Sequence, residues 1–422
     1  MTSLLITGAR IATLDGVIER GWLATADDRI VAFGAGEAEP DRLRLASGER
    51  FTDVHDPEVV DAAGAWLLPG FIDVHVHGAM GHETMDGEVE GLEAMSRFYA
   101  AHGVTSYLAT TWTDSGPATL HALDAVVRAM DRPGDGARLR GAHLEGPYLA
   151  ETRCGAQAVE LIRGGDLDEL LGFLATGVVR LITLAPEVEG NRDIIVACRQ
   201  HDVTVSAGHT DATYAQMLEA VALGLAHVTH TFNAMSPLHH REPGVVGAAM
   251  RLQELTVELI ADNVHVHPAA MYALLAACGP HRVVLITDAI RAAGLPPGDY
   301  PIGDRTVMVD HDSVRLPGGA LAGSVLTLDV ALRNLSRASE RGLGELWPTA
   351  SLNAARVAGI AERTGAIVVG HDADLVLVDD DVAVRLTIVA GRIVHRAESP
   401  PRPAPGLSST TPGRVPAGGD PM

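Results

Sequence analysis

The chain contains no lysine: all 32 of its basic side chains, in 422 residues, are arginine. That absence excludes a Schiff-base lysine, a P-loop lysine and a carboxylated lysine bridging two metal ions. Aromatic residues supply only 4% of a chain that is 47% hydrophobic. The core must therefore be built from Ala, Val, Leu and Ile, which suits a parallel sheet covered by helices. The three cysteines, Cys154, Cys198 and Cys278, are too widely spaced for a disulfide framework and suit a reducing compartment. The sequence opens without a basic stretch leading into an apolar one, and no run of about 18 apolar residues follows, so a cytoplasmic protein without a membrane segment is expected. Positive charge is scarce too. With a net charge of −22 and no cluster of arginines along the sequence, neither nucleic acid nor an anionic membrane is an expected partner.

What is present is organised in two textures. SLLITGARIAT, ERGWLATADDRIVAFG and EVVDAAGAWLLPG alternate with period two between turn residues, and residues 366–396 read the same way. Residues 1–65 and 366–396 are therefore expected to form one small β-sandwich. Between them, residues 66–365 alternate apolar runs with helix-like stretches. Strands are predicted at 71–78, 104–110, 139–146, 178–187, 202–210, 227–233, 254–262 and 282–289. Repeated βα units close most simply as a (β/α)8 TIM barrel. Residues 397–422, rich in Pro, Gly, Ser and Thr, are expected to be disordered.

The stretch PGFIDVHVHG (69–78) puts Phe71, Asp73, His75 and His77 on one strand face, with Gly78 turning the backbone. Two co-facing histidines can grip a metal ion, or they can be a hydrogen-bonded core pair; the motif alone does not decide. The other strand ends do. In a barrel of this kind the active site lies at the C-terminal ends of the strands. There the sequence places His75 and His77, then Glu145, His209, His230 and Asp288. Three ligands with an open position suit a catalytic zinc, and Glu145, His209 and His230 are assigned to that metal. His143, two residues before Glu145 on the same face, is expected to be packed beneath it. A divalent metal acidifies water, and a carboxylate beside it can take the proton as the water attacks a carbonyl. Asp288 is the candidate for that base and for returning the proton to a leaving nitrogen. Hydrolysis of an amide or a similar C–N bond is the chemistry such a site supports. Zn²⁺ is the first choice of metal, and Fe²⁺, Co²⁺ or Mn²⁺ also suit these ligands, as one ion or two.

These residues resemble the amidohydrolase superfamily and, within it, the N-acetylglucosamine-6-phosphate deacetylase family. The motifs that carry the resemblance are PGFIDVHVHG, HLEGPYL (143–149), SAGHTDAT (206–213), HVTHTFNAMSPLHHREPG (227–244), IADNVHVHP (260–268), ITDAI (286–290) and LAGS (321–324). The resemblance implies hydrolysis of the acetamide of N-acetylglucosamine 6-phosphate to glucosamine 6-phosphate and acetate, in amino-sugar catabolism or cell-wall recycling. The galactosamine epimer is an alternative substrate, and a sugar-phosphate sensor without catalysis is an alternative of another class. Where most of the superfamily uses a carboxylated lysine, these deacetylases use a glutamate, here Glu145, which fits a chain without lysine. By the same resemblance Asn233 and the backbone of Ala234 hold the substrate phosphate, and Arg241 reaches the phosphate in the neighbouring subunit of a homodimer. His265 hydrogen-bonds the sugar, and Leu321, Ala322 and Gly323 line its pocket. Some relatives lack the histidine pair and work with one ion, so His75 and His77 are read as the second-metal position.

Two positions depart from the family pattern. CGAQ puts Gln157 where a substrate-contacting histidine usually stands; a Gln amide donates a hydrogen bond but cannot become cationic. The backbone contact at the preceding Ala156 can survive. Asn263 replaces the more usual glycine before His265, which is expected to alter the sugar pocket. Cys154, on the same segment as Gln157, is read as a loop residue.

Overall fold

Eight parallel strands build the centre of the molecule: β1 (Phe71–Val76), β2 (Val104–Thr111), β3 (Arg138–Glu145), β4 (Val179–Leu184), β5 (Thr204–Ala207), β6 (His227–Val228), β7 (Thr256–Ile260) and β8 (Val283–Ile286). The computed structural model describes residues 3–42, 44, 50–54, 56–132, 134–303 and 305–397. The tail expected to be disordered lies, from residue 398 on, outside the described residues. The eight strands are hydrogen-bonded in sequence order. Just past its end β8 returns to β1: the Asp288 N–H donates to the His75 carbonyl at 2.9 Å, and the His77 N–H to that of Ala289 at 2.9 Å. Below these bonds the Asp73 carboxylate accepts from Thr287 Oγ1 at 2.6 Å and from the His75 N–H at 3.2 Å. Burial pushes the Asp73 carboxyl up to about 7.

Helices cover the barrel, and their starts follow from capping chemistry. Ser115 accepts from the Ala118 N–H ahead of the helix Gly116–Met130, which carries Pro117 in its first turn. Thr213 and Gln216 form a reciprocal capping box before Tyr214–Leu223. The core between helices and strands is aliphatic, with Leu144, Ile182, Val205, Leu259 and Leu285 almost fully buried.

A second, eight-stranded sheet joins residues from both sides of the barrel in sequence. The strand Trp66–Pro69 pairs in parallel with Ser3–Thr13 and antiparallel with Leu375–Val378. Leu375–Val378 in turn carries the hairpin Val384–Val389 and Arg392–Arg396. Ile6, Ile11, Leu23, Leu67, Leu375 and Ile388 pack in its own apolar core. The fold is thus the (β/α)8 barrel with a small β-sandwich that the sequence predicts. Gly70 marks the passage from one to the other: a Cβ there would lie 2.2 Å from Thr105, so only glycine lets the chain enter the barrel.

Three details differ from expectation. The predicted strands overrun: β6 has two residues where 227–233 was expected, because His230 (φ 27°) and Phe232 (φ 83°) turn out of extended geometry. Gly78 is required by crowding rather than by a turn, since a Cβ would meet the His82 carbonyl at 2.3 Å. And between β8 and the helix Leu328–Ser339 the chain forms an unforeseen antiparallel sheet, Gly298–Ile302, Arg305–Val309 and Val314–Arg315. Its apolar face packs Ile302, Val307 and Val314 against Ala156, Ile290 and Ala322.

Candidate metal centre and substrate cleft

Glu145 is the last residue of β3, whereas His209, His230 and Asp288 each sit two residues beyond their strands. All three have positive φ (48°, 27° and 51°), a conformation that non-glycine residues adopt at a cost of about 1–3 kcal/mol each. The bends release the side chains from the ladder and aim them inward. His209 Nε2 and His230 Nε2 lie 3.3 and 3.2 Å from Glu145 Oε1 and 3.1 Å from each other. Two imidazole nitrogens facing each other and one carboxylate oxygen share a single focus. Beneath them, fully buried, His75 Nε2 is 3.3 Å from Glu145 Oε1, and His77 Nε2 is 3.4 Å from Glu145 Oε2 and 3.3 Å from Asp288 Oδ1.

Among the described residues the donor atoms form three sets whose members lie within 4.8 Å of one another: Glu145–His209–His230 and His75–His77–Asp288 at the floor of the cleft, and His75–His143–Glu258 behind them. His75 Nε2 and both ring nitrogens of His77 are buried without a hydrogen bond of good geometry. Orphaned buried nitrogens facing carboxylates fit divalent cations. Electrostatics agrees. Burial opposes charge on His75, yet the carboxylates of Glu258, Glu145 and Asp288 hold its proton well above the ordinary imidazole range. Burial likewise opposes ionisation of Glu145, and His75, His209 and His230 override it and hold the carboxyl well below its usual range. The site demands positive charge, which protons or metal ions can supply.

The surroundings fix these rings. His209 Nδ1 bonds the Arg153 carbonyl at 2.8 Å. His75 Nδ1 lies 2.9 Å from Glu258 Oε2, which also accepts from the His230 N–H at 2.9 Å; the other oxygen of Glu258 meets His227 Nε2 at 3.2 Å. His143 is packed as expected, with Nδ1 on the Val74 carbonyl (3.1 Å) and Nε2 on Thr183 Oγ1 (2.8 Å). Burial and the neighbouring His75 hold it well below the usual imidazole range.

Above the metal-ligand sets opens a cleft of about 320 Å³. Of the residues expected to contact substrate, it brings together Ala156, Gln157, Asn233, Ala234, His265, Leu321 and Gly323. Ala322, expected in the lining, instead points into the apolar cluster beneath the inserted sheet. Arg241 is absent from the cleft of its own chain; it is exposed, with NH1 2.7 Å from His240 Nε2. His265 is held through Nδ1 by Asp262 at 2.6 Å, leaving Nε2 for the cleft. Asn233 Nδ2 reaches the carbonyls of its own turn, His230 at 3.1 Å and Thr231 at 3.4 Å.

Both departures from the family pattern acquire a physical reading. Gln157 is buried with its Oε1 accepting from the Thr113 N–H (2.8 Å) and its Nε2 donating to Glu145 Oε2 (2.5 Å), so it acts on the carboxylate at the centre of the candidate metal site. Asn263 has φ 66°, the left-handed region that glycine and asparagine tolerate best, and its side chain is exposed outside the cleft.

Two residues at the site escape sequence reasoning, one because an indole at a strand end is no metal ligand and the other because it lies within its strand. Trp112 lines the cleft and stacks on the His77 ring at 3.7 Å and 9°. Glu258 supports His75, His227 and His230 from within β7; a carboxylate inside the apolar run TVELI was its signal.

Comparison with known proteins agrees with this geometry. The amidohydrolase family model matches residues 66–394. An N-acetylglucosamine-6-phosphate deacetylase of Bacillus subtilis (strain 168) is 38% identical over 399 residues, 93% of this chain and 97% of that protein. An N-acetylgalactosamine-6-phosphate deacetylase of Escherichia coli O157:H7 is 38% identical over 379 residues, 89% of this chain and 96% of that protein. The crystal structure of N-acetyl-D-glucosamine-6-phosphate deacetylase from Mycobacterium smegmatis, 32% identical, aligns with a TM-score of 0.83 over 93% of this chain and all of that one. A family model matching most of the chain and relatives of this identity along nearly its whole length, over a barrel whose strand ends gather residues able to hold a metal ion, make the chain a member of the amidohydrolase family.

Proposed function

We propose that the protein hydrolyses the acetamide of N-acetylglucosamine 6-phosphate, yielding glucosamine 6-phosphate and acetate. The observation that carries this reading is the convergence of Glu145, His209 and His230 on one focus, with Asp288 alongside, at the floor of a cleft also lined by Asn233, Ala234 and His265. Glu145, His209 and His230 would hold the principal ion and His75 and His77 a second, with Zn²⁺ the first choice. A divalent ion there supplies the positive charge that draws electrons from an amide carbonyl and makes water acidic near neutral pH.

The chain's own residues do the rest. Burial pushes the Asp288 carboxyl up, and His75 and His77 pull it below its usual range, so it stands ionised and ready to accept a proton from the attacking water. The same carboxyl then returns that proton to the departing nitrogen. His265 Nε2 faces the sugar, and Asn233 with the backbone of Ala234 receives the phosphate. Arg241, exposed on its loop, completes the phosphate site of a partner subunit in a homodimer; a guanidinium fork matches phosphate geometry. We place the reaction in the cytoplasm, which the unpaired Cys154, Cys198 and Cys278 suit. Among the described residues no helix is long and apolar enough to cross a membrane.

The epimer N-acetylgalactosamine 6-phosphate is a second reading, supported by the equal identity of the relative named N-acetylgalactosamine-6-phosphate deacetylase. Acetate release by the metal-loaded protein from each sugar phosphate tests both: kcat/KM ranks the epimers, and no release from either refutes the deacetylase reading and leaves a sensor.

A further inference from the structure

At the opposite end of the barrel from the cleft, a cavity of about 530 Å³ opens between the starts of β3 and β4, the helix Val89–Ala101 and the hairpin of the small domain. Its lining contains six arginines, Arg132, Arg138, Arg140, Arg180, Arg363 and Arg392, and two carboxylates, Glu93 and Asp135. In the whole chain acids outnumber arginines 54 to 32, so the balance here is inverted. Both lining carboxylates are already engaged, Glu93 with Arg132 at 3.3 Å and Asp135 with Arg97 at 3.2 Å.

Behind the cavity, buried Asp372 and Asp374 neutralise part of the charge. Arg138 lies 2.6 Å from each, and Arg140 3.1 and 3.3 Å from the same two carboxylates. Asp372 also serves Arg29 at 2.5 Å and Arg363 at 3.3 Å. Two carboxylates are thus shared by four guanidiniums. Arg138 Nε remains buried without a partner. Arg180 packs its stem against Gly141, and its guanidinium has no hydrogen bond or ion pair among the described residues. Among the described residues the Arg392 guanidinium meets only the Gly134 carbonyl, at 3.1 Å. Burial and the adjacent Arg138 hold Arg140 below the ordinary guanidinium range, while Asp374 and Asp372 outweigh burial at Arg138 and hold it above.

We propose that this cavity is a binding site for a small phosphate-bearing anion, seated among Arg138, Arg140, Arg180 and Arg392. A tetrahedral oxyanion can be met from several directions at once, and these forks come from β3, from β4 and from the small domain; a planar carboxylate is satisfied by one fork. Fastening the small domain to the barrel accounts for Arg138 and Arg140 against Asp372 and Asp374. It does not account for Arg180 and Arg392, which make no ion pair. The site is separate from the cleft: Arg138 begins β3 and Glu145 ends it, roughly 23 Å apart at about 3.3 Å per residue.

The test compares the metal-loaded wild type with the double variant Arg180→Gln, Arg392→Gln by equilibrium dialysis against labelled inorganic phosphate. The wild type should bind one more equivalent per chain than the variant, with kcat/KM and Tm the same in both. Equal stoichiometry in the two proteins overturns the proposal. Displacement of the label by glycerol 3-phosphate identifies phosphate monoesters as the ligand class, and failure to displace identifies free phosphate. Wild-type crystals soaked in arsenate give a reading independent of the variant: an anomalous peak between Arg180 and Arg392 supports the site, and an empty cavity at saturating arsenate refutes it.

Discussion

Gln157 Nε2 donates to Glu145 Oε2 at 2.5 Å, while the other oxygen of that carboxylate faces the Nε2 atoms of His75, His209 and His230 at 3.2–3.3 Å. One oxygen is thereby oriented by an amide and the other left to the imidazole-lined focus. Partners that orient a metal ligand typically govern about 10–100-fold in metal affinity or activity. Gln157→Ala should therefore lower kcat/KM by roughly that factor, and steady-state kinetics at saturating metal that match wild type would remove Gln157 from the machinery.

Asp288 is the carboxylate assigned to proton transfer. Asp288→Asn keeps the size and the oxygen but loses the basicity, so kcat should fall by about 10³-fold while the ion at Glu145, His209 and His230 stays bound. Turnover alongside metal analysis checks both halves; near-normal kcat refutes the assignment.

His75 and His77 come together with Asp288 in the deeper candidate set. A His75→Gln, His77→Asn variant should retain one ion per chain and lose the other, as measured by elemental analysis of dialysed protein. Full metal content in that variant would show that the pair holds no ion of its own.

Arg241 touches no part of the cleft in its own chain, so its effect should depend on the dimer. Arg241→Ala should raise KM for the phosphorylated sugar by about tenfold or more, from the loss of a charge-assisted hydrogen bond, with kcat little changed. Sedimentation of the wild type as a monomer, or an unchanged KM, would count against the shared site.

Asp372 lies buried among Arg138, Arg140, Arg29 and Arg363 where the small domain meets the barrel. Burial raises its pKa, but the arginines outweigh it and hold the carboxyl below the usual range. A depressed carboxylate stabilises fully above its unfolded pKa and loses that contribution as pH falls from about 3.9 toward the lower folded value. Asp372→Asn should reduce stability at pH 7 by on the order of 3 kcal/mol and flatten the acid limb of Tm against pH. An unchanged limb would assign the acid sensitivity elsewhere.

Much of this molecule is legible from local pattern. Period-two alternation reports the small sheet and repeated apolar runs report the barrel, because each pattern reflects which face of an element is buried. Strand ends carrying His75, His77, Glu145, His209, His230 and Asp288 point to a metal site because the barrel gathers strand ends on one rim. The inserted sheet from Gly298 to Arg315 escaped, although TVMV within it alternates, because attention to a βα repeat passes over strands that do not recur.

The sequence alone determined the class of chemistry: a chain without lysine, with imidazoles and carboxylates at successive strand ends, can build a metal-dependent hydrolase and cannot build its lysine-bridged variant. Only the tertiary structure decided which side chains support those ligands and where charge accumulates. Glu258, Gln157 and Trp112 reach the site from β7, from the loop after β3 and from the end of β2, and no spacing along the chain relates them. The arginines of the far cavity are scattered from Arg132 to Arg392, so a sequence with no basic run still folds into a basic surface. Closing a barrel brings residues together by strand order and register, and neither is a local property of the chain.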